Sequence, residues 1–79
     1  MMKLKVITPV GCTVDAAVSK VFLPGGARAF EVLQGHAPLI STLEKGLVRY
    51  EQDGVMREYP VETGFVKVDD NTIVVCTEK

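Results

Sequence analysis

Residues that break regular structure recur along this chain at intervals too short for stable helices: Pro9, Gly11, Pro24-Gly25-Gly26, Gly35, Pro38, Gly46, Asp53-Gly54, Pro60, Gly64 and Asp69-Asp70-Asn71. Between them, 13 valines, 3 isoleucines and 6 threonines make 22 of the 79 residues β-branched. Such side chains are stiff at χ1 and fit a pleated surface better than a helix. Short β-prone runs between turn formers predict an all-β fold, a flattened sandwich or barrel. The length leaves room for one small domain, residues 1–79, and the sequence has no internal repeat, low-complexity tract or linker.

Two hairpins can be set in register from the sequence. In Leu47–Gln52, Asp53-Gly54, Val55–Val61, the Asp-Gly pair suits a two-residue turn whose central positions both take positive φ. That turn opposes Gln52 to Val55, Arg49 to Glu58 and Val48 to Tyr59. One face then carries Val48, Tyr50, Val55, Tyr59 and Val61. The other carries Arg49, Glu51 and Glu58, with opposite charges facing across the strands and Met56 pointing outward among them. The second hairpin runs Phe65–Val68, a turn near Asp70-Asn71, then Thr72–Thr77. Val66, Val68, Ile73 and Val75 share one face, and Phe65, Lys67, Val74 and Cys76 the other. Further strands are expected at Leu4–Thr8, Thr13–Asp15, Val18–Leu23, Phe30–Leu33 and around Leu39–Leu43. Leu39 and Leu43 also stand four apart, so Ala37–Lys45 is alternatively a helical turn. Asp15 to Lys20, with its scattered charges, is expected as a solvated edge, and Pro24-Gly25-Gly26-Ala27 as a turn that re-aims the chain.

Charge and cysteine content remove several function classes. Nine Lys+Arg against ten Asp+Glu give a net charge of −1, whereas a nucleic-acid surface needs a basic patch. An apolar run of four, Ile73-Val74-Val75-Cys76, is far short of the roughly 20 residues of a membrane-spanning helix. Lys3 and Lys5 are followed by too short an apolar stretch for a signal peptide. Cys12 and Cys76 lack the spacing and companion histidines of a metal site, and are expected as two buried thiols in a reducing compartment.

Candidate chemistry is sparse. His36, the sole histidine, could act as a base for Ser41, Thr42 or a cysteine, but nothing in the sequence places an acid to orient it. Asp69-Asp70-Asn71 is too short for a calcium loop and fits a hairpin turn. The glycines after Pro24 lack the Lys-Ser/Thr of a phosphate loop. No catalytic residue, metal or cofactor is expected. From the residues alone the chain is a small binding or assembly module.

Longer motifs are more specific. Phe22-Leu23-Pro24-Gly25, followed by Phe30-Glu31-Val32-Leu33-Gln34-Gly35-His36-Ala37-Pro38-Leu39 and Leu43-Glu44-Lys45-Gly46, resembles the epsilon subunit of bacterial F-type ATP synthase. Leu4–Pro9 resembles that family's first strand, Gly64–Val68 its Gly-Gly-Phe-x-Glu-Val stretch and Asn71–Val75 its last strand. The resemblance covers essentially the whole chain, and Gly35-His36-Ala37-Pro38-Leu39 is its most specific part. It implies a flattened sandwich of about ten short strands and a non-catalytic role in the rotor. The partners it implies are the gamma subunit and the c-ring, at the cytoplasmic face of the inner (plasma) membrane. Membrane association is expected only through the complex.

Three departures stand out. The family's sandwich is usually followed by a C-terminal helix pair that inhibits ATP hydrolysis and in some members binds ATP. The sequence stops after the last strand, so a naturally short or a shortened form is expected; ATP binding is not expected of it, and whether it restrains hydrolysis stays open. Ala29 stands at the family's acidic place and Glu31 at its glycine place. Gln34 replaces the usual proline, and Glu62-Thr63 stands where Ser-Gly is common.

The motif match implies a c-ring contact made by Ala29, Phe30, Glu31, Val32, Leu33, Gln34, Gly35 and His36, within a loop reaching Ile40. Glu31 and His36 are its polar members, and His36 is alternatively a loop-holding residue. For gamma, an exposed sheet face with apolar residues is expected, Met56 being one candidate. Three rival classes make different expectations. A free-standing β-sandwich adaptor for a peptide or small ligand would not assemble with an ATP synthase. A hydrolase pairing His36 with Cys12 or Cys76 would show one unusually reactive thiol. An oligonucleotide-binding barrel would show a basic groove with exposed aromatics.

Overall fold

Alternating inward apolar and outward polar positions build nine strands among the described residues of the computed structural model, which are 2–24, 30–33, 35 and 38–78. They are β1 (Met2–Thr8), β2 (Gly11–Val18), β3 (Lys20–Leu23), β4 (Phe30–Leu33), β5 (Leu39–Leu43), β6 (Gly46–Gln52), β7 (Val55–Val61), β8 (Gly64–Asp69) and β9 (Thr72–Thr77). They form a five-stranded sheet, β2-β1-β9-β8-β5, and a four-stranded sheet, β4-β3-β6-β7. The first and last strands run parallel at the centre of the larger sheet, and every other pairing is antiparallel. The result is the expected β-sandwich. Its core takes Leu4, Val6, Val18, Val66, Val68, Ile73 and Val75 from one sheet and Val21, Leu23, Val32, Val48 and Tyr50 from the other.

Both hairpins take the expected register: Gln52 faces Val55, Arg49 faces Glu58, and Val66 faces Val75. Their turns have positive φ at both central residues, 53° and 77° for Asp53-Gly54 and 49° and 59° for Asp70-Asn71. In the first hairpin Arg57 opposes Tyr50 on the face expected to be apolar. It stays exposed because β7 is an edge strand, and Val55 at the hairpin tip is exposed too. Pro60, which has no N–H to donate, is at home on that edge.

Several expectations are corrected. Val18–Leu23 is not one strand: β2 ends at Val18 in one sheet and β3 begins at Lys20 in the other. The short strand at Thr13–Asp15 is the middle of β2, an edge strand whose Ala16 and Val18 are buried, so Asp15 to Lys20 is solvated on one face only. Residues 38–43 do not form a helical turn. A spacing of four fits both periods, and pairing with β8 selects the strand, which turns Leu39, Ser41 and Leu43 inward. The thiols are not buried: Cys12 is exposed and Cys76 half-buried, both on the outward side of their strands. The proposed turn Pro24–Ala27 lies beyond Pro24 outside the described residues.

Among the described strands the chain changes sheet four times, and each change is held by a hydrogen bond. Ser19 N–H donates to the Glu51 carbonyl at 3.0 Å, and Glu44 N–H to the Pro24 carbonyl at 2.7 Å. Glu62 N–H donates to the buried Thr77 hydroxyl at 3.0 Å. Gly35 N–H donates to Asn71 Oδ1, also at 3.0 Å. Crossings interrupt the ladders, so their backbone groups need partners from elsewhere.

Candidate partner-binding site

The segment singled out by sequence divides into a strand and a connection. Phe30–Leu33 is β4, at the edge of the four-stranded sheet and antiparallel to β3. Alternation sends Val32 into the core opposite Val21, where it is fully buried. Glu31 faces outward opposite Phe22, and Leu33, 48% exposed, faces outward opposite Lys20. Gly35, between β4 and β5, has φ +85° and is exposed. Ala29, Gln34, His36 and the Phe30 side chain lie outside what is described; of the remaining members of the set, Glu31, Leu33 and Gly35 are accessible.

Extending β4 across its sheet gives the outward rows Glu31–Phe22–Arg49–Glu58 and Leu33–Lys20–Glu51–Met56. Arg49 Nε lies 3.4 Å from Glu58 Oε2, and Ser19 Oγ donates to Glu51 Oε1 at 2.6 Å. Met56 is 40% exposed at the end of its row, as expected. This face mixes acids, bases and isolated apolar side chains.

The outward face of the five-stranded sheet is different. Its rows read Cys12–Ile7–Cys76–Phe65–Thr42 and Asp15–Lys5–Val74–Lys67–Ile40. Phe65 is 50% and Ile40 73% exposed, with Ile7 also exposed. This apolar face, with Lys5 and Lys67 interleaved, was only half visible in sequence. The hairpin register shows Phe65, Val74 and Cys76 together, but Ile7 and Ile40 join them through pairings to β1 and β5 that no local pattern encodes.

Among the described residues there is no group of three or more His, Cys, Asp and Glu side chains that could hold a metal ion. Cys12 Sγ lies 3.2 Å from the Val14 carbonyl oxygen, its acceptor. A shallow depression of about 500 Å³ between Lys45–Leu47 and Tyr59–Glu62 is lined by none of the residues of the Ala29–His36 contact set.

Comparison with known proteins agrees with the motif reading. A family model described as the ATP synthase delta/epsilon chain β-sandwich domain matches residues 1–79. The ATP synthase epsilon chain of Desulfitobacterium hafniense is 36% identical over 75 residues, covering 95% of this chain and 57% of the relative. That of Sulfurovum sp. is 41% identical over 71 residues, covering 89% of this chain and 56% of the relative. The chain thus spans little more than half the length of the curated relatives it matches. Among solved structures, a chain of the Euglena gracilis mitochondrial ATP synthase (OSCP/F1/c-ring) superposes with a TM-score of 0.90 at 20% identity, covering 99% of this chain and 51% of that one. A chain of the Tetrahymena thermophila mitochondrial ATP synthase central stalk and c-ring gives 0.80 at 16% identity, covering 99% of this chain and 63% of that one. These two likenesses concern the fold, while the family match concerns the sequence from end to end; this chain belongs to the ATP synthase delta/epsilon chain β-sandwich domain family.

Proposed function

We propose that this chain is a central-stalk subunit of an F-type ATP synthase, bound to gamma and resting on the c-ring, where it couples ion translocation to ATP synthesis. In this role it makes and breaks no bonds itself. The observation that carries the reading is the family match across all 79 residues. The names of the curated relatives and the central-stalk assemblies among the structural neighbours support it. No helix among the described residues is long and apolar enough to cross a membrane. The chain then sits peripherally at the cytoplasmic face of the inner (plasma) membrane, held there by its partners.

Within this reading, the c-ring contact is the Ala29–His36 segment, with Glu31 and Leu33 presented outward from β4. The gamma subunit takes the apolar outward face of the five-stranded sheet around Ile7, Phe65 and Ile40, since such a face is better covered than solvated. The test is co-purification of the tagged chain with gamma from the same organism, followed by size-exclusion chromatography. Co-elution as a one-to-one complex is expected. Separate elution, with gamma shown to be folded, sinks the rotor reading. Glu31→Ala and His36→Ala should each weaken binding to the c-ring assembly by about 5-fold or more, as interface residues costing over roughly 1 kcal/mol do. The melting temperature should stay unchanged; a variant that melts instead marks its residue as structural.

A further inference from the structure

Asn71 occupies the second position of a turn in which glycine is the cheaper residue, and it stands there with φ +59°. The equivalent position of the other hairpin is Gly54. Asparagine tolerates this backbone, and unlike glycine it brings a side chain that can bond elsewhere. Its Oδ1 accepts the Gly35 N–H at 3.0 Å across 36 residues of sequence, and its carbonyl accepts the Lys3 N–H at 2.9 Å. The amide therefore links the β8–β9 turn of the five-stranded sheet to the connection that leaves β4 of the four-stranded sheet. Gly35, whose φ of +85° suits glycine, lies inside the Ala29–His36 segment.

We propose that Asn71 is a positioning residue for partner binding: its side-chain amide fixes Gly35, the described residue between β4 and β5, and through it supports the contact assigned above. This rests on the rotor reading above. The bond is solvent-exposed, so its loss costs the fold little. Its effect is on preorganisation, since a Gly35 backbone already held in place does not lose that freedom again on binding.

The experiment uses the full chain in three forms: unmodified, Asn71→Gly and Asn71→Asp. Asn71→Gly keeps the left-handed backbone and the bond to Lys3 but removes the amide. Asn71→Asp keeps an oxygen acceptor. Each is titrated into ATP synthase stripped of this subunit, melted, and followed by NMR amide hydrogen exchange. Asn71→Gly should bind about 3–10-fold more weakly with its melting temperature nearly unchanged, and its Gly35 amide should exchange several-fold faster than in the unmodified chain. Asn71→Asp should restore both. Undiminished binding by Asn71→Gly, unchanged exchange at Gly35, or an equal loss in Asn71→Asp each overturns the proposal. If the unmodified chain does not bind the stripped enzyme, the rotor reading fails. Gly35 exchange then still decides whether Asn71 holds Gly35.

Discussion

Hairpins β6–β7 and β8–β9 each open on a glycine, Gly46 and Gly64, and each close on a two-residue turn with positive φ at both centres. Their surroundings differ. The first lies at an edge: β7 pairs with β6 alone, carries exposed Arg57 and Glu58, and ends near Pro60. The second is flanked by β5 on one side and β1 on the other, and its turn binds both Lys3 and Gly35. The same local instructions thus build one hairpin with a free outer strand and one whose two strands are each paired to a further neighbour. Local sequence sets the shape of a hairpin, and its place in the sheet sets what a change there costs.

The largest expected effect separates the two opening glycines. A Cβ on Gly64 would run into the Cys76 carbonyl oxygen and sit 3.0 Å from Thr77 Cα, all of it ladder backbone near the centre of the larger sheet. Backbone there can move only by opening the β8–β9 pairing, so Gly64→Ala should cost about 2–4 kcal/mol. In a domain this small that lowers Tm by roughly 10–20 °C. A Cβ on Gly46 meets the Pro24 ring at 3.0 Å, a single side chain beside the strand. Gly46→Ala should cost less than about 1 kcal/mol. Urea melts of both variants check this, and equal losses would break the comparison.

The turns give the next effect. Gly54 has φ +77° and open space around its Cα, so alanine there is strained by backbone alone. Gly54→Ala should cost about 1–2 kcal/mol. Gly54→Asn should cost only a few tenths of a kcal/mol, because asparagine tolerates the left-handed region. Asn71 already stands in the matching place of the other turn. If Gly54→Asn destabilises as much as Gly54→Ala, the two turns are not equivalent and Asn71 needs local support that Gly54 lacks.

Where the sequence was legible follows the same division. Both hairpin registers were readable because turn chemistry and two-residue alternation act over a dozen neighbouring residues. Strand β4 was located as a β-prone run between turn formers, but Val32 and Leu33 are both apolar, so which of them faces the core was legible only in the pairing with β3. The sheet change at Ser19 was missed because no glycine or proline marks it; it is fixed by bonds to Glu51 and by Val18 and Val21 entering the one core from opposite sheets. The outward position of Cys12 depends on the pairing of β2 with β1, which no local pattern encodes, whereas that of Cys76 was already implied by the hairpin register that turns Ile73 and Val75 inward. Of the candidate site, the motif located the segment. The Asn71 bond to Gly35 escaped because an asparagine in a turn is ordinary until a distant N–H is seen at its side chain.

The smallest effect tests whether charge contributes to the edge hairpin's register. Arg49 and Glu58 form a single 3.4 Å contact, each side chain 54% exposed. The corresponding strands of the central hairpin oppose Lys67 to Val74 and hold register with no such pair. Exposed pairs of this kind couple by about 0.2–1 kcal/mol, less as salt screens them. A double-mutant cycle with Arg49→Ala and Glu58→Ala should therefore give a coupling below about 1 kcal/mol that shrinks at high salt. The Val48–Tyr59 cross-strand contact should persist in all variants by NMR, because the Asp53-Gly54 turn and the buried Val48 and Val61 already specify the pairing. A register shift in the double variant would mean that on an unshared edge a weak ion pair decides what, in the central hairpin, neighbouring strands enforce.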